Sequence, residues 1–354
     1  MVVEEKKQKL KVKAFELINP YLIGSNIVEG RYNHELMDRL FRSIMLLKLN
    51  KRKYKNKEVT LNLVDYKQSS NINIMQGYFS TARHGIRRSN IDIETQEEIS
   101  YIEPHQGVKN EVFFTLDKQR GLLLVEDDKA NKVFNRSLLK SFLFSHRELI
   151  FPYIDAFNIL NDEAVISKRS FYRLTSLPPV DFFEKLKEFQ SIKSGIFYID
   201  SSEREESVDV VQKLEDELDD NSIDEYDLEI KIKNKSSSGM VKTFEKYFKK
   251  MIELQKYDSY AIEGVTESGS IKKITPDSIT REFEIMVAYN ANGLPKLDHM
   301  FNGMENIIVR NNPIETKDLL SGITHVEDDA DVLEKIKYLA KRCNENKEDE
   351  EKSV

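Results

Sequence analysis

Residues 111–126 read EVFFTLDKQRGLLLVE, and this stretch decides the fold of the first half of the chain. Two short runs rich in Phe, Leu and Val flank the polar turn Asp117–Gly121, which is the pattern of a β-hairpin. A hairpin of two strands is not stable alone, because its apolar side needs a helix or further strands to cover it. We therefore expect this hairpin to form the core of a domain.

The residues after the hairpin predict the helix that covers it. Apolar side chains recur at spacings of three and four over residues 138–146, so they share one helix face. Asn135 stands where an N-cap would hold the first turn. The opposite side carries Arg136 and Lys140, whereas His146 falls on the apolar face and is expected to be a core residue.

Length and composition indicate a globular protein of two domains. The chain has 354 residues, of which 40% are hydrophobic and 32% are charged. A single cysteine, Cys343, excludes a disulfide framework or a Cys-based zinc site within one chain. The first residues are charged rather than apolar, and no apolar run approaches the roughly 18–20 residues of a membrane span. We expect a cytoplasmic protein.

The two halves of the chain differ in charge. Residues 1–175 carry 29 Lys and Arg against 22 Asp and Glu, whereas residues 176–354 carry 25 against 39. The basic half favours an anionic partner. The acidic segment 203–229 is interpreted as a solvated surface, with repulsion of nucleic acid and mimicry of DNA charge as alternatives.

The predicted fold class is α+β, with two domains that each contain a largely antiparallel sheet packed with a few helices. Short alternating strands and helical patterns surround the break Leu177-Pro178-Pro179. The predicted boundaries are a β-rich N-terminal domain with basic turns over 10–150, a connector over 151–179, an α+β C-terminal domain with the acidic segment over 180–343, and a disordered tail over 344–354.

Two local predictions inside the second domain bear on its topology. The pattern of 180–192 predicts a short helix, and residues 240–256 predict a longer one. Alternation over 259–265 and 270–275 predicts a hairpin, with 279–289 as its third strand.

The first basic turn, residues 48–57, is a candidate phosphate-binding site. It holds six basic residues in ten positions without an acid, and these are Lys48, Lys51, Arg52, Lys53, Lys55 and Lys57. Clustered cations displace counterions from nucleic acid, and Tyr54 offers a ring for stacking on a base. A solvated turn between a helix and a strand is the alternative.

The second basic turn, residues 83–88, is the tighter cluster. Its candidate binding residues are Arg83, His84, Arg87 and Arg88. Arginines favour bidentate phosphate contacts, and Gly85 lets the backbone approach a ligand closely. We expect the turn to be a hairpin tip that can enter a groove.

Common catalytic motifs are absent from the sequence. It contains no P-loop, no Gly-x-Gly-x-x-Gly, no Gly-x-Ser-x-Gly and no His-Glu-x-x-His, and its six histidines are scattered. Asp155, Glu163 and Lys168 form a loose match to a nuclease cluster. No catalytic residue, metal ligand or cofactor is therefore predicted.

The order of elements resembles bacterial phage-exclusion and defence proteins. The resemblance covers residues 10–290 and rests on the hairpin, on Asn135-Arg136-Ser137 opening a helix, on Leu177-Pro178-Pro179 and on a later strand pair. The similar families are the RexA proteins, the DNA-binding subunit of the Kiwa system and an uncharacterised domain family. The resemblance implies a dimeric, non-enzymatic DNA-binding protein that senses infection and works with a partner, often a membrane protein.

Three functions remain open from the sequence. The leading hypothesis is a nucleic-acid-binding protein of phage defence, with DNA favoured, acting as a homodimer through the two basic turns. The alternative is an interaction or sensor module that recognises a host, phage or membrane protein. The second alternative is a cryptic metal-dependent nuclease.

Overall fold

The computed structural model describes residues 7–23, 26–28, 32–56, 58–179, 189–200, 227–233, 259–266, 268–275, 280–290, 294–315, 323–326 and 329–345. The strands are β1 Lys7–Ile18, β2 Tyr21–Ile23, β3 Asn26–Val28, β4 Lys53–Lys55, β5 Val59–Gln68, β6 Ile74–Arg83, β7 Arg88–Ile91, β8 Glu98–Ile102, β9 Asn110–Asp117, β10 Leu122–Glu126, β11 Arg173–Ser176, β12 Phe189–Asp200, β13 Asp227–Lys233, β14 Ser259–Thr266, β15 Ile271–Ile274 and β16 Glu282–Ala288. The helices are α1 His34–Met45, α2 Arg136–Ser145, α3 Phe151–Leu160, α4 Leu297–Arg310 and α5 Ala330–Glu345. The predicted α+β class is confirmed.

The first sheet runs in the order β11-β1-β10-β9-β6-β5-β4, and all its pairs are antiparallel. The predicted hairpin is β9–β10, in which Leu123 is opposite Leu116. Gly121 closes its turn at a φ of 75°, in the left-handed region that favours glycine. The turn is also crowded, because a Cβ on Gly121 would lie 2.4 Å from the carbonyl oxygen of Leu17. The strand order places this hairpin in the middle of the sheet.

Strand β1 joins the beginning of the chain to much later residues. One edge of β1 pairs with β10, and the other edge is divided between β11 and β16. Leu10, for example, is opposite Ile285. Residues 282–343 were predicted for the second domain, and this assignment is corrected, because β16 completes the first sheet and α4 and α5 pack on it.

The two faces of the first sheet carry separate apolar cores. Side chains alternate across a strand, so Phe79 faces one side of the sheet while the neighbouring Tyr78 faces the other. Helices α1, α2, α3 and α5 bury their apolar stripes on the Phe79 side. Helix α4 covers the other side, where Phe301 meets the ring of Phe113 edge-on at 5.9 Å.

A smaller antiparallel sheet has the order β13-β12-β14-β15. The predicted hairpin over 259–275 is present as β14–β15, but the strand predicted as its third member, β16, pairs with β1 instead. The predicted helix over 180–192 is wrong for its last residues, because 189–192 begin β12. Residues 203–226 of the acidic segment and the predicted helix 240–256 lie outside the described residues.

The predicted connector, residues 151–179, is part of the first domain's structure. Its first ten residues form α3, with Pro152 in the first turn. Proline has no backbone N–H, but the N–H groups of the first turn have no acceptor within the helix, so no hydrogen bond is lost. Its last part contributes β11 to the sheet. Of the predicted disordered tail, residues 344–345 belong to α5 and the remainder lies outside the described residues.

None of the helices within the described ranges is long and apolar enough to cross a membrane.

Candidate nucleic-acid interface

The strand register brings the two basic turns to the same end of the first sheet. Lys55 of β4 is opposite Thr60 of β5, and Thr60 is opposite Ala82 of β6. Because neighbouring strands lie about 4.8 Å apart, the backbone of Lys55 is about 10 Å from that of Ala82. The second basic turn begins at the next residue, Arg83. We call this end of the sheet the basic end.

Arg52 of the first basic turn serves the fold. Its guanidinium donates to the carbonyl oxygens of Leu47 at 2.7 Å and Met45 at 2.9 Å, where α1 ends. A further contact at 3.3 Å reaches the carbonyl oxygen of Val64 in β5. Burial lowers the pKa of Arg52. The prediction that Arg52 binds phosphate is corrected, because these carbonyl groups already occupy its donors.

The lysines of the first basic turn differ in exposure. Lys48 and Lys55 are exposed, whereas Lys51 and Lys53 are half-buried and make contacts within the protein. Lys57 lies outside the described residues. The ring of Tyr54, proposed above for base stacking, is half-buried and packs against the apolar core. Lys48 and Lys55 therefore remain as the accessible cations of this turn.

Arg83 joins β6 to the loop that precedes α2. Its guanidinium donates to the carbonyl oxygens of Asn131 at 2.8 Å and Lys132 at 3.1 Å. The side chain is nevertheless exposed. Lys132 is exposed too, so the contact adds a further cation to the basic end.

Asp128 fixes the loop that Arg83 contacts. Its carboxylate accepts the backbone N–H groups of Val133 at 2.9 Å and Phe134 at 3.0 Å, and the amide of Asn110 at 2.7 Å. Burial alone raises the pKa of a carboxyl group, but these donors outweigh burial and hold the pKa of Asp128 below its ordinary value. The loop is therefore held from inside rather than by its surface charges.

The second basic turn lies at the base of a projecting ribbon, so the prediction of a hairpin tip is wrong. The ribbon is the β7–β8 pair, whose residues are almost all exposed. Its tip is acidic, with carboxylates at Asp92, Glu94, Glu97 and Glu98. The phosphates that line a nucleic-acid groove would repel these carboxylates, so we do not expect the tip to enter a groove.

Each predicted binding residue of the ribbon base has a distinct environment. The guanidinium of Arg87 stacks 4.2 Å from the ring centre of Tyr101 and lies 3.4 Å from the Glu103 carboxylate. The half-buried ring of His84 has a buried Nε2 that meets no hydrogen-bond partner among the described residues. Arg88 is exposed as the first residue of β7. Arg88 is therefore accessible to a ligand.

The basic side of α2 does not extend the basic end. Arg136 is buried, and its guanidinium donates to the carbonyl oxygen of Leu174 at 3.2 Å. The carbonyl oxygen of Lys140 accepts the Tyr172 hydroxyl at 2.7 Å, which places it beside β11. His146 is buried as predicted, with Nδ1 2.8 Å from a backbone carbonyl oxygen, and burial lowers its pKa.

Exposed apolar side chains on the ribbon were not singled out by the sequence analysis. Ile93 is 84% exposed and Ile99 is 67% exposed, and Ile91 and Tyr101 are also open to solvent. The alternation of Ile91 and Ile93 was visible in the sequence, but it also fits a strand buried on one face. Only the fold shows that no element of the described part of the chain covers them.

The loose nuclease match does not form a metal site in the structure. Lys168 Nζ lies 2.6 Å from Asp155 Oδ1 on the surface. Among the described residues, no three His, Cys, Asp or Glu side chains are grouped so that they could hold a metal ion.

No protein-family model matches the chain, and no curated protein matches it significantly.

Proposed function

We propose that the protein binds nucleic acid, with DNA favoured, through the basic end of the first sheet. The observation that carries the proposal is the β4-β5-β6 register, which joins two basic turns separated by about thirty residues of sequence into one surface. The accessible cations of that surface are Lys55, Arg83, Arg88 and Lys132.

Phosphate contacts dominate such an interface, so binding is steeply salt-dependent and nearly independent of sequence. A fixed arginine such as Arg83 offers the outer edge of its guanidinium to a phosphate while its inner edge holds the loop. Lysines add charge without fixed geometry. With few exposed cations, the site suits weak, sequence-tolerant binding of the kind that the phosphate backbone alone supports.

The proposal includes a role in bacterial phage defence as a homodimer, which rests on the resemblance in element order. The role in defence is tested by the efficiency of plating of phage on cells that express the protein. Protection by the wild type and loss of protection in a variant that no longer binds DNA support the role. Protection that survives the loss of binding contradicts it.

The binding experiment is a fluorescence-anisotropy titration of a labelled duplex at about 50 and about 200 mM salt. Lys55→Ala with Arg88→Ala removes two exposed cations of the basic end. If both touch phosphates, the slope of log affinity against log salt falls by about 1.8 for a duplex. An RNA duplex and single strands in parallel titrations define the preferred nucleic acid.

The control removes two exposed lysines elsewhere, Lys9→Ala with Lys67→Ala. Lys67 lies in β5 itself, eight residues beyond Val59 and so about 26 Å from the basic end. The control keeps the net charge of the test variant. No binding at low salt, or equal weakening in both double variants, rules out the proposed surface.

The ribbon favours one second function, recognition of a protein partner. Its exposed isoleucines lie among carboxylates, which suits a partner with an apolar pocket and a basic rim. The assay is co-purification from infected and uninfected cells after nuclease treatment. A partner retained by the wild type and lost with Ile93→Asp and Ile99→Asp supports it, whereas retention by that variant excludes the ribbon.

A further inference from the structure

A cavity of about 830 Å³ lies between α1 and α5. Its lining contains none of the residues of the two basic turns. The volume is within the range of small-molecule binding sites, and the cavity is open to solvent on one side. Leu46, Leu333 and Ile336 form an apolar wall, and the remaining lining is mostly charged.

The charged lining is positive overall. Its cations are Arg39, Arg42, Lys118 and Lys337, against the two carboxylates Glu35 and Asp38. Both carboxylates are already engaged by groups of the protein, as the contacts below show. The cavity therefore presents a positive field to a ligand that enters it.

Asp38 contacts one neutral hydroxyl group and two cationic side chains. Its carboxylate accepts the Tyr66 hydroxyl at 2.9 Å and the Arg42 Nε–H at 2.8 Å. Lys118 Nζ is 3.8 Å away, too far for a hydrogen bond, and so retains donors that can turn towards a ligand. Lys118 is only 19% exposed, which makes its charge more effective than that of a surface lysine.

Two histidines from distant parts of the sequence meet at Glu35. The Tyr153 hydroxyl donates to Glu35 at 2.9 Å, and His325 Nδ1 is 3.6 Å from the same oxygen. That Nδ1 is buried and has no hydrogen-bond partner in the described structure. The ring of His34, which lines the cavity, is centred 5.7 Å from the His325 ring. His325 is not among the described lining residues, so His34 is the member of this pair that a ligand in the cavity can contact.

We propose that this cavity binds a nucleoside phosphate, with the base against the apolar wall and the phosphate against Lys118, Lys337 and His34. The combination of an apolar wall with convergent cations matches a ligand that has a flat ring at one end and negative charge at the other. An inorganic anion alone leaves the wall unused, and an uncharged nucleoside leaves the cations unused.

Burial of the His34 ring lowers its pKa, so the imidazole is neutral at neutral pH and can donate or accept one hydrogen bond. The groups around it are Glu35, Asp38, Lys118 and His325. A bound phosphate adds negative charge beside the ring and raises its pKa. This change is a direct reporter of the ligand's position.

The experiment is calorimetric titration of the full chain with AMP, ADP, adenosine and inorganic phosphate as separate probes. The site variant is Lys337→Met, and the matched control is Lys335→Met on the same helix. Lys335 lines a different groove, against α3. We expect Lys337→Met to weaken ADP by about tenfold and Lys335→Met to leave it unchanged.

Two further measurements separate this site from the nucleic-acid interface. The His34 Cε1–H resonance should shift on addition of ADP, and the shift should disappear in His34→Gln. An unlabelled DNA duplex should not displace ADP. Thermal melts of each variant confirm that it is folded.

The proposal is overturned if AMP and ADP do not bind, or if Lys335→Met weakens ADP as much as Lys337→Met. Equal affinity for ADP and inorganic phosphate removes the nucleoside from the proposal. Displacement by DNA assigns the cavity to the nucleic-acid interface instead.

Discussion

Glu126 is a half-buried carboxyl group, and its replacement by glutamine should stabilise the protein at alkaline pH. It ends β10, where Oε2 accepts the backbone N–H of Phe113 at 3.3 Å. Burial, aided by the neighbouring Asp128 and Asp127, raises the pKa of Glu126 from 4.5 to about 7. Glu126→Gln keeps the shape and the acceptor but cannot ionise.

The magnitude follows from linkage between protonation and folding. The unfolded chain releases the Glu126 proton near pH 4.5, whereas the folded chain holds it until about pH 7. Between those values the folded state binds more protons, so its stability falls as pH rises and stays low above pH 7. Since one pKa unit corresponds to about 1.4 kcal/mol, the loss reaches up to about 3 kcal/mol.

Urea unfolding followed by circular dichroism at about pH 5 and about pH 8 measures this effect. We expect Glu126→Gln to be more stable than the wild type by up to about 3 kcal/mol at the higher pH and by only about 1 kcal/mol at the lower. Glu97→Gln, on the exposed ribbon, is the control and should show no such difference. A Glu126→Gln variant with no gain at the higher pH refutes the reasoning.

Two further substitutions test structural roles. Arg52→Met should lower the free energy of unfolding by about 2 kcal/mol, because the carbonyl groups at the end of α1 lose their donors, whereas Lys55→Met should leave it unchanged. Equal effects of the two in urea unfolding contradict the role given to Arg52. Gly121→Ala should cost about 3 kcal/mol, since a left-handed backbone and a carbonyl contact both oppose a Cβ. A thermal melt unchanged from the wild type argues against that turn geometry.

The local elements of the fold could be predicted because their signals are local. Asn135 caps α2 by accepting the Leu138 N–H at 2.8 Å, as its position predicted. The β9–β10 hairpin follows from its apolar runs and turn. Helix α3 was missed because its apolar residues continue past the buried Phe157 to the exposed Ile159, which hides the helical period.

Long-range features could not be predicted in the same way. The alternation of apolar and polar residues marks β16 as a strand. It does not predict that β16 pairs with β1, where Leu10 is its neighbour, rather than with β15. The role of an arginine depends on which carbonyl groups the fold brings near it, as Arg52 shows. His34 and His325 are far apart in sequence, so only the structure reveals their proximity.

The divided edge of β1 also sets an order of events during protein synthesis. Residues 7–13 leave the ribosome first, yet their partner strand 282–288 follows more than 250 residues later. Until then, half of that edge presents unpaired N–H and C=O groups, which can pair with another nascent chain. Pairing across such a sequence separation is also slow to form. A chain interrupted before residue 282 therefore exposes a strand edge that favours aggregation.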